Sequence, residues 1–292
     1  MHFFKNLFSK TIVKNGIWMY LLQFFNMVIP LLTLPYVTRI LGTSQYGVFS
    51  SAFNIVGYAQ VIVEYGFIMS ASRKVALLST DEVDEDLDQV FSNVLCGRSI
   101  LFFMCAIGLW IFVSLNKFSQ IQVYSYILLS VSLIGIVFQV DWLFQGKQDM
   151  KFISLTNIIA RSVSTLLIFL TVKKSQDVLV YCLLYASSPL ISNGIGIVIA
   201  KKRYHLKFVK TSLNQVLQEM KSGWYVFTTQ FTSQVFGSAG VTFLVFWSNS
   251  AIVGGFSAIQ KIPNVVLMLW LPVSQVIYPV VSKKMEVHLQ EG

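Results

Sequence analysis

Three cations stand inside otherwise apolar stretches of this chain: Arg98, Arg161 and Lys261. An arginine at the centre of a bilayer costs about 2.5–3.5 kcal/mol on insertion scales, so such residues normally face a protein interior or water and mark a polar pathway. The chemistry they offer is anion recognition. A guanidinium donates two parallel hydrogen bonds to a phosphate, and an ammonium supplies a compact point charge. Two carboxylates, Glu64 and Asp141, stand near the ends of other apolar runs, where paired, interfacial and ion-coupling roles are all open. Arg39 also lies at the end of a run, placed to bind anionic headgroups, to cap its helix through the C-terminal dipole or to gate a cavity. Blander readings stand beside these. Arg98 is about 12 Å of helical rise from its span end and could reach the headgroups, and Arg161 could form a structural pair with Glu64 or Asp141. No spacing suits nucleophilic, redox or metal chemistry. His2, His205 and His288 are isolated in polar segments, and Cys96, Cys105 and Cys182 lie in apolar runs without CxxC spacing. No catalytic residue, metal or cofactor is called for.

The elements that position these residues follow from composition. Of 292 residues, 55% are hydrophobic and 12% charged, against about 25% charged in a soluble domain. At about 20 apolar residues per bilayer crossing, the chain has material for roughly eight transmembrane helices. The predicted spans are Gly16 to Val37, Tyr46 to Met69, Phe91 to Leu115, Val123 to Phe144, Phe152 to Val172, Val178 to Ala200, Gly223 to Trp247 and Ala251 to Val281. The fold class is therefore all-α and polytopic. The last span is too long for one straight crossing and carries Pro263, Pro272 and Pro279, so it is expected to start early and kink. No small-residue cleavage site interrupts the first run, which is expected to stay in the mature protein.

Alternating the loops collects Lys5, Lys10, Lys14, Arg73, Lys74, Lys147, Lys151, Lys201, Lys202, Arg203, Lys207, Lys210, Lys221, Lys283 and Lys284 on one side, and Arg39, Lys117, Lys173 and Lys174 on the other. The positive-inside rule then sets both termini in the cytoplasm and absorbs most of the +9 net charge without a nucleic-acid partner. Phe4, Leu7, Phe8 and Ile12, beside Lys5, Lys10 and Lys14, suit a helix lying in the membrane interface. Leu213, Val216, Leu217 and Met220 repeat the pattern after a Ser212 and Gln215 capping box. The acidic run from Asp81 to Asp88 reads as a solvated helix start. Trp110, Trp142 and Trp247, near span ends, fit an aromatic belt. Gln23, Asn26 and Gln230, inside uncharged helices, could hydrogen-bond across a lobe interface or to sugar hydroxyls.

Sliding the chain by 207 residues aligns Gly16 with Gly223, Gln23 with Gln230, Phe24 with Phe231, Val28 with Val235, Gly47 with Gly254, Phe49 with Phe256, Ser50 with Ser257 and Ile55 with Ile262. A repeat after six crossings relates two halves of one orientation by an axis along the membrane normal. The organisation expected is an interfacial segment (1–14), a six-helix lobe (15–200), a cytoplasmic linker with an amphipathic helix (201–222) and two helices of an incomplete second lobe (223–292). The chain is expected to be a truncated form or a natural fragment.

The run Leu34-Pro35-Tyr36-Val37-Thr38-Arg39-Ile40-Leu41-Gly42, with Tyr46-Gly47 after it, resembles the end of the first helix in bacterial polysaccharide repeat-unit flippases. These are the O-antigen and capsule type of the multidrug, oligosaccharidyl-lipid and polysaccharide exporter superfamily. Glu64-Tyr65-Gly66-Phe67 with Ser72-Arg73-Lys74 looks like the end of that family's second helix, and Asp141-Trp142-Leu143-Phe144-Gln145-Gly146 like the end of its fourth. The resemblance implies a transporter that carries an undecaprenyl-pyrophosphate-linked oligosaccharide from the inner to the outer leaflet of the bacterial plasma membrane by alternating access. Family members run to twelve or more helices. The substrate contacts then expected are Arg161, Arg98, Lys261 and Arg39, with Glu64 and Asp141 as coupling groups or charge partners. The expected partners are lipid-linked oligosaccharide, membrane lipids and polysaccharide polymerase and assembly proteins. The competing functions are a multidrug cation exporter, whose cavity should be acidic, a polytopic sugar transferase or polymerase, which would need a larger external loop, and a nonfunctional fragment or scaffold.

Overall fold

The computed structural model describes residues 10–78, 83–261 and 263, and among them every regular element is helical. Helix α1 runs Lys10–Glu64 and leaves helical geometry only at Gly42, with φ 72° and ψ 168°. That region is essentially closed to residues with a Cβ, so one glycine replaces the loop expected between the first two spans. Asn15 near the start of α1 donates from Nδ2 to the Gln148 carbonyl at 2.7 Å, and Glu64 at its end lies in the field of Asp141. Both ends of α1 thus reach the same end of the bundle, and its two limbs are two crossings.

The remaining helices are α2 (Phe67–Leu77), α3 (Val83–Leu115), α4 (Gln120–Val137), α5 (Asp141–Gly146), α6 (Met150–Thr171), α7 (Val178–Tyr204), α8 (Leu213–Trp247) and α9 (residues 250–261). Among the described residues, five helical stretches are long and apolar enough to cross a membrane: Val13–Leu77, which doubles back at Gly42, Asp86–Leu115, Gln120–Gly146, Met150–Thr171 and Ser175–Tyr204. The seventh predicted span is the 35-residue α8, diluted by Gln230, Ser233, Gln234 and Ser238. The eighth begins as α9; most of it, with Pro272 and Pro279, lies outside the described residues, as does the segment containing Phe4, Leu7 and Phe8.

Two predicted spans end early. The second stops at Glu64, where Tyr65 and Gly66 take positive φ of 49° and 72°, and the fourth stops at Val137. Each resumes as a shorter helix, and these two, α2 and α5, pack on each other. The breaks thereby bring Glu64 and Asp141 to one level. The bundle core forms where α4 and α6 pack on α7 and on α1, with Val56, Ala59 and Val63 buried on the second limb of α1. Trp142, expected in the interfacial belt, is buried at 1% exposure, whereas Trp110 and Trp247 are exposed.

The linker after α7 is pinned rather than loose. The Lys207 N–H donates to Asp88 Oδ1 at 2.8 Å, the Val209 N–H to Ser92 Oγ at 2.9 Å, and the Thr211 hydroxyl to Asn93 Oδ1. Asp88, read as part of a solvated acidic run, is a buried acceptor. The Ser212 and Gln215 capping box is present. It starts α8, which runs on through Gly223 without a break, so the linker helix and the seventh span are one element.

Candidate substrate cavity

On the second limb of α1, Ser50, Phe53, Asn54, Gly57, Gln60, Val61 and Glu64 recur at helical spacing, opposite the stripe of Val56, Ala59 and Val63 that faces the core. This polar stripe forms one wall of a cavity of about 360 Å³. Gln234, Gly237, Ser238 and Val241 of α8 face it, Ser257, Gln260 and Lys261 of α9 line a third side, and Ile136 with Gln139 closes it from the end of α4. The volume lies at the lower end of the range for small-molecule sites, about 300–1,000 Å³.

Three contacts hold the walls together. Asn54 Nδ2 donates to Thr242 Oγ1 at 3.2 Å, the Tyr58 hydroxyl shares a 2.7 Å hydrogen bond with the same Thr242 oxygen, and Gln260 Nε2 donates to the Gly237 carbonyl at 3.0 Å. Phe49 and Phe53 stack at 5.6 Å between ring centroids, and Tyr181 and Tyr185 pack on them at 4.5 and 5.2 Å. The Lys261 ammonium sits 5.4 Å from the Tyr46 ring centroid, a cation over an aromatic face. Among the described residues no carboxylate lies within 4.0 Å of it; the two ion pairs there are Lys74 with Glu219 at 2.5 Å and Arg203 with Asp149 at 2.8 Å.

Of the cations predicted to line a site, the structure brings Lys261 to the cavity together with the carboxylate Glu64. Arg98 lies behind the wall, wholly buried. Its Nη1 donates to the carbonyls of Ile136 and Gln139, at 3.2 and 2.5 Å, and its guanidinium stands 5.8 Å from the Phe67 ring centroid. Those carbonyls belong to the broken end of α4, where the Gln139 N–H turns back to the Ile136 carbonyl at 3.1 Å and the regular helical ladder stops. Arg98 therefore ties that break to α3, with Glu64 and Asp141 as the nearest opposite charges. Asp141 accepts from Gln139 Nε2 at 2.9 Å. Two of the arginine's nitrogens, Nε and Nη2, and the Gln139 Oε1 are buried without a partner among the described residues. Arg161, half-buried on α6, and Arg39, exposed on the first limb of α1, do not line the cavity, and neither Glu64 nor Asp141 pairs with Arg161.

The carboxamides Asn54, Gln60, Gln139, Gln234 and Gln260 were not singled out from sequence, although the 54, 57, 60, 64 spacing already aligns three polar groups on one helical face. Gln23, Asn26 and Gln230, which were singled out, do not line the cavity. The Asn26 and Gln230 side-chain oxygens are buried without a partner among the described residues. Among the described residues no three His, Cys, Asp or Glu side chains gather as metal ligands do.

Long apolar helices packed around a polar, amide-lined cavity define a polytopic membrane protein. The chain belongs to the family described as polysaccharide biosynthesis protein, whose model matches residues 12–285. It is 29% identical over 283 residues to a protein of Escherichia coli (strain K12) named "Putative O-antigen transporter", an alignment covering 96% of this chain and 67% of that protein. A protein of the same name from Shigella dysenteriae is 26% identical over 271 residues, covering 92% of this chain and 67% of its own length. The chain thus spans about two thirds of the length of these relatives. No solved structure matches it.

Proposed function

We propose that this protein is a polysaccharide exporter, and specifically a flippase that moves undecaprenyl-pyrophosphate-linked oligosaccharide units across the bacterial plasma membrane, with both termini cytoplasmic. The observation that carries the reading is the chamber lining: five carboxamides, several hydroxyls, an aromatic wall and one ammonium with no carboxylate within 4.0 Å among the described residues. Carboxamides offer paired donors and acceptors that match sugar hydroxyls, aromatic faces suit the apolar face of a sugar ring, and the Lys261 ammonium suits a phosphate or acidic sugar. Family membership and the transporter names of its relatives favour the same reading over a sugar transferase. Glu64 keeps a second reading in view, a cation exporter, because it puts a carboxylate on the chamber wall.

The test is complementation. A strain lacking its own repeat-unit exporter should recover surface polysaccharide when it makes this protein, and should stop accumulating lipid-linked units. Lys261→Ala and Gln60→Leu should reduce recovery at unchanged membrane abundance. Resistance to cationic dyes in place of polysaccharide recovery would move the assignment to the cation exporter. Full recovery with both variants would remove the chamber from the mechanism.

A further inference from the structure

The 207-residue offset reappears as contact geometry where α1 meets α9. A Cβ built on Gly47 would fall on the carbonyl oxygen of Ser250, with the Gly254 nitrogen 3.0 Å away. A Cβ built on Gly254 would fall on the carbonyl oxygen of Thr43, with the Gly47 nitrogen 2.8 Å away. Ser250 is the offset partner of Thr43, and Gly254 that of Gly47. Each contact is therefore the image of the other, the reciprocity expected where two equivalent segments meet across a local twofold axis. One turn further along, the partners Ser50 and Ser257 both line the chamber, and one turn beyond them so do Asn54 and Lys261. The two helices touch at the glycines and diverge into the chamber.

We propose that Gly47 and Gly254 form the seam that closes the chamber at this end, and that transport requires this backbone-to-backbone contact to open and re-form. A methyl group on either glycine meets a carbonyl of the opposite helix, not the end of a flexible side chain, so the contact cannot adjust locally. The closed arrangement is lost while each helix stays intact. The seam itself stands on the contact geometry; which side of the membrane it faces rests on the proposed flippase orientation, in which it faces outward.

The experiment uses the full chain in cells, with Cys96, Cys105 and Cys182 replaced by serine and Ser257→Cys as a reporter inside the chamber. Labelling by a membrane-impermeant maleimide is followed from outside in whole cells and from inside in inverted vesicles. Gly47→Ala and Gly254→Ala should each raise labelling from outside roughly tenfold, because a methyl forced into a tight contact shifts the open population by about that factor or more. Gly255→Ala, where a Cβ meets nothing within 4 Å among the described residues, should leave labelling unchanged. A rise seen only from inside would keep the seam and overturn the orientation. Unchanged labelling in both seam variants would overturn the seam. A second measurement leaves the glycines in place: Ser50→Cys with Ser257→Cys, bridged by a short bismaleimide, should abolish export, and normal export by the bridged protein would likewise overturn the proposal.

Discussion

Arg98 and Lys261 are both cations in apolar sequence, and their surroundings give them different work. Arg98 Nη1 donates to the Ile136 and Gln139 carbonyls, and Glu64 and Asp141 are its neighbouring carboxylates. Arg98→Ala leaves the part-buried Ile136 and Gln139 carbonyls without their side-chain donor, which costs about 1–3 kcal/mol. Membrane abundance and the melting temperature in detergent should fall together with export, and Arg98→Lys should recover only part, since an ammonium keeps the charge but lacks the planar guanidinium that stands 5.8 Å from the Phe67 ring centroid. Lys261→Ala removes a cation that has no carboxylate within contact among the described residues. Its melting temperature should stay unchanged while export drops by roughly tenfold or more, the worth of one hydrogen bond to a charged group. Arg161→Ala, away from the chamber, should reduce export less than Lys261→Ala at equal abundance. Sequence made the charged candidates legible because a cation at membrane depth is costly. It did not separate the chamber from the packed interior behind its wall, since depth along a helix says nothing of rotation about it. The carboxamides raised no alarm because an uncharged amide in an apolar run carries little insertion penalty.

The helices could be read from apolar runs, but their breaks could not, and the breaks position the site. Across Glu64 to Phe67 and Val137 to Phe144 the sequence stays mostly apolar, so hydropathy continues while the backbone stops. At Gly223 the reverse holds, where a composition change suggested a boundary and α8 runs on. Two glycines mark the places where backbone geometry overrides hydropathy. Gly42 has φ 72° and ψ 168° with nothing within 4 Å of a Cβ, so Gly42→Ala should cost only the conformational penalty, about 1–3 kcal/mol. Gly66 combines φ 72° with the Val226 side chain 2.8 Å from a Cβ, so Gly66→Ala should destabilise more. Gly16, helical and in open space, is the control: Gly16→Ala should be neutral or stabilising by up to about 1 kcal/mol. Thermal unfolding of the detergent-solubilised protein ranks the three, and an order other than Gly66, Gly42, Gly16 would mean that backbone geometry does not set these turns.

At the scale of the whole molecule, the proposed glycine seam would close one end of the chamber. At the other end Tyr65 stacks on Phe227 at 4.5 Å, and the Lys74 ammonium meets Glu219, whose side chain is 2% exposed. Both contacts join α2 or the end of α1 to α8, so this end is held by side chains rather than backbone. Lys74→Ala should weaken it, because the Glu219 carboxylate is left buried without its cation, while adding Glu219→Gln should restore closure by removing the stranded charge. If the two closures are alternatives in one equilibrium, weakening one must favour the state in which the other is shut. With Ser257→Cys as reporter, Lys74→Ala should raise labelling from the Lys74–Glu219 side and lower it from the seam side. Combining Lys74→Ala with Gly254→Ala should then bring the ratio of the two rates back toward its native value, because the two changes push one equilibrium in opposite directions. Closures that open independently would instead raise labelling from both sides at once in the double variant. That outcome would describe a leaking channel and would exclude alternating access as the way this chamber works.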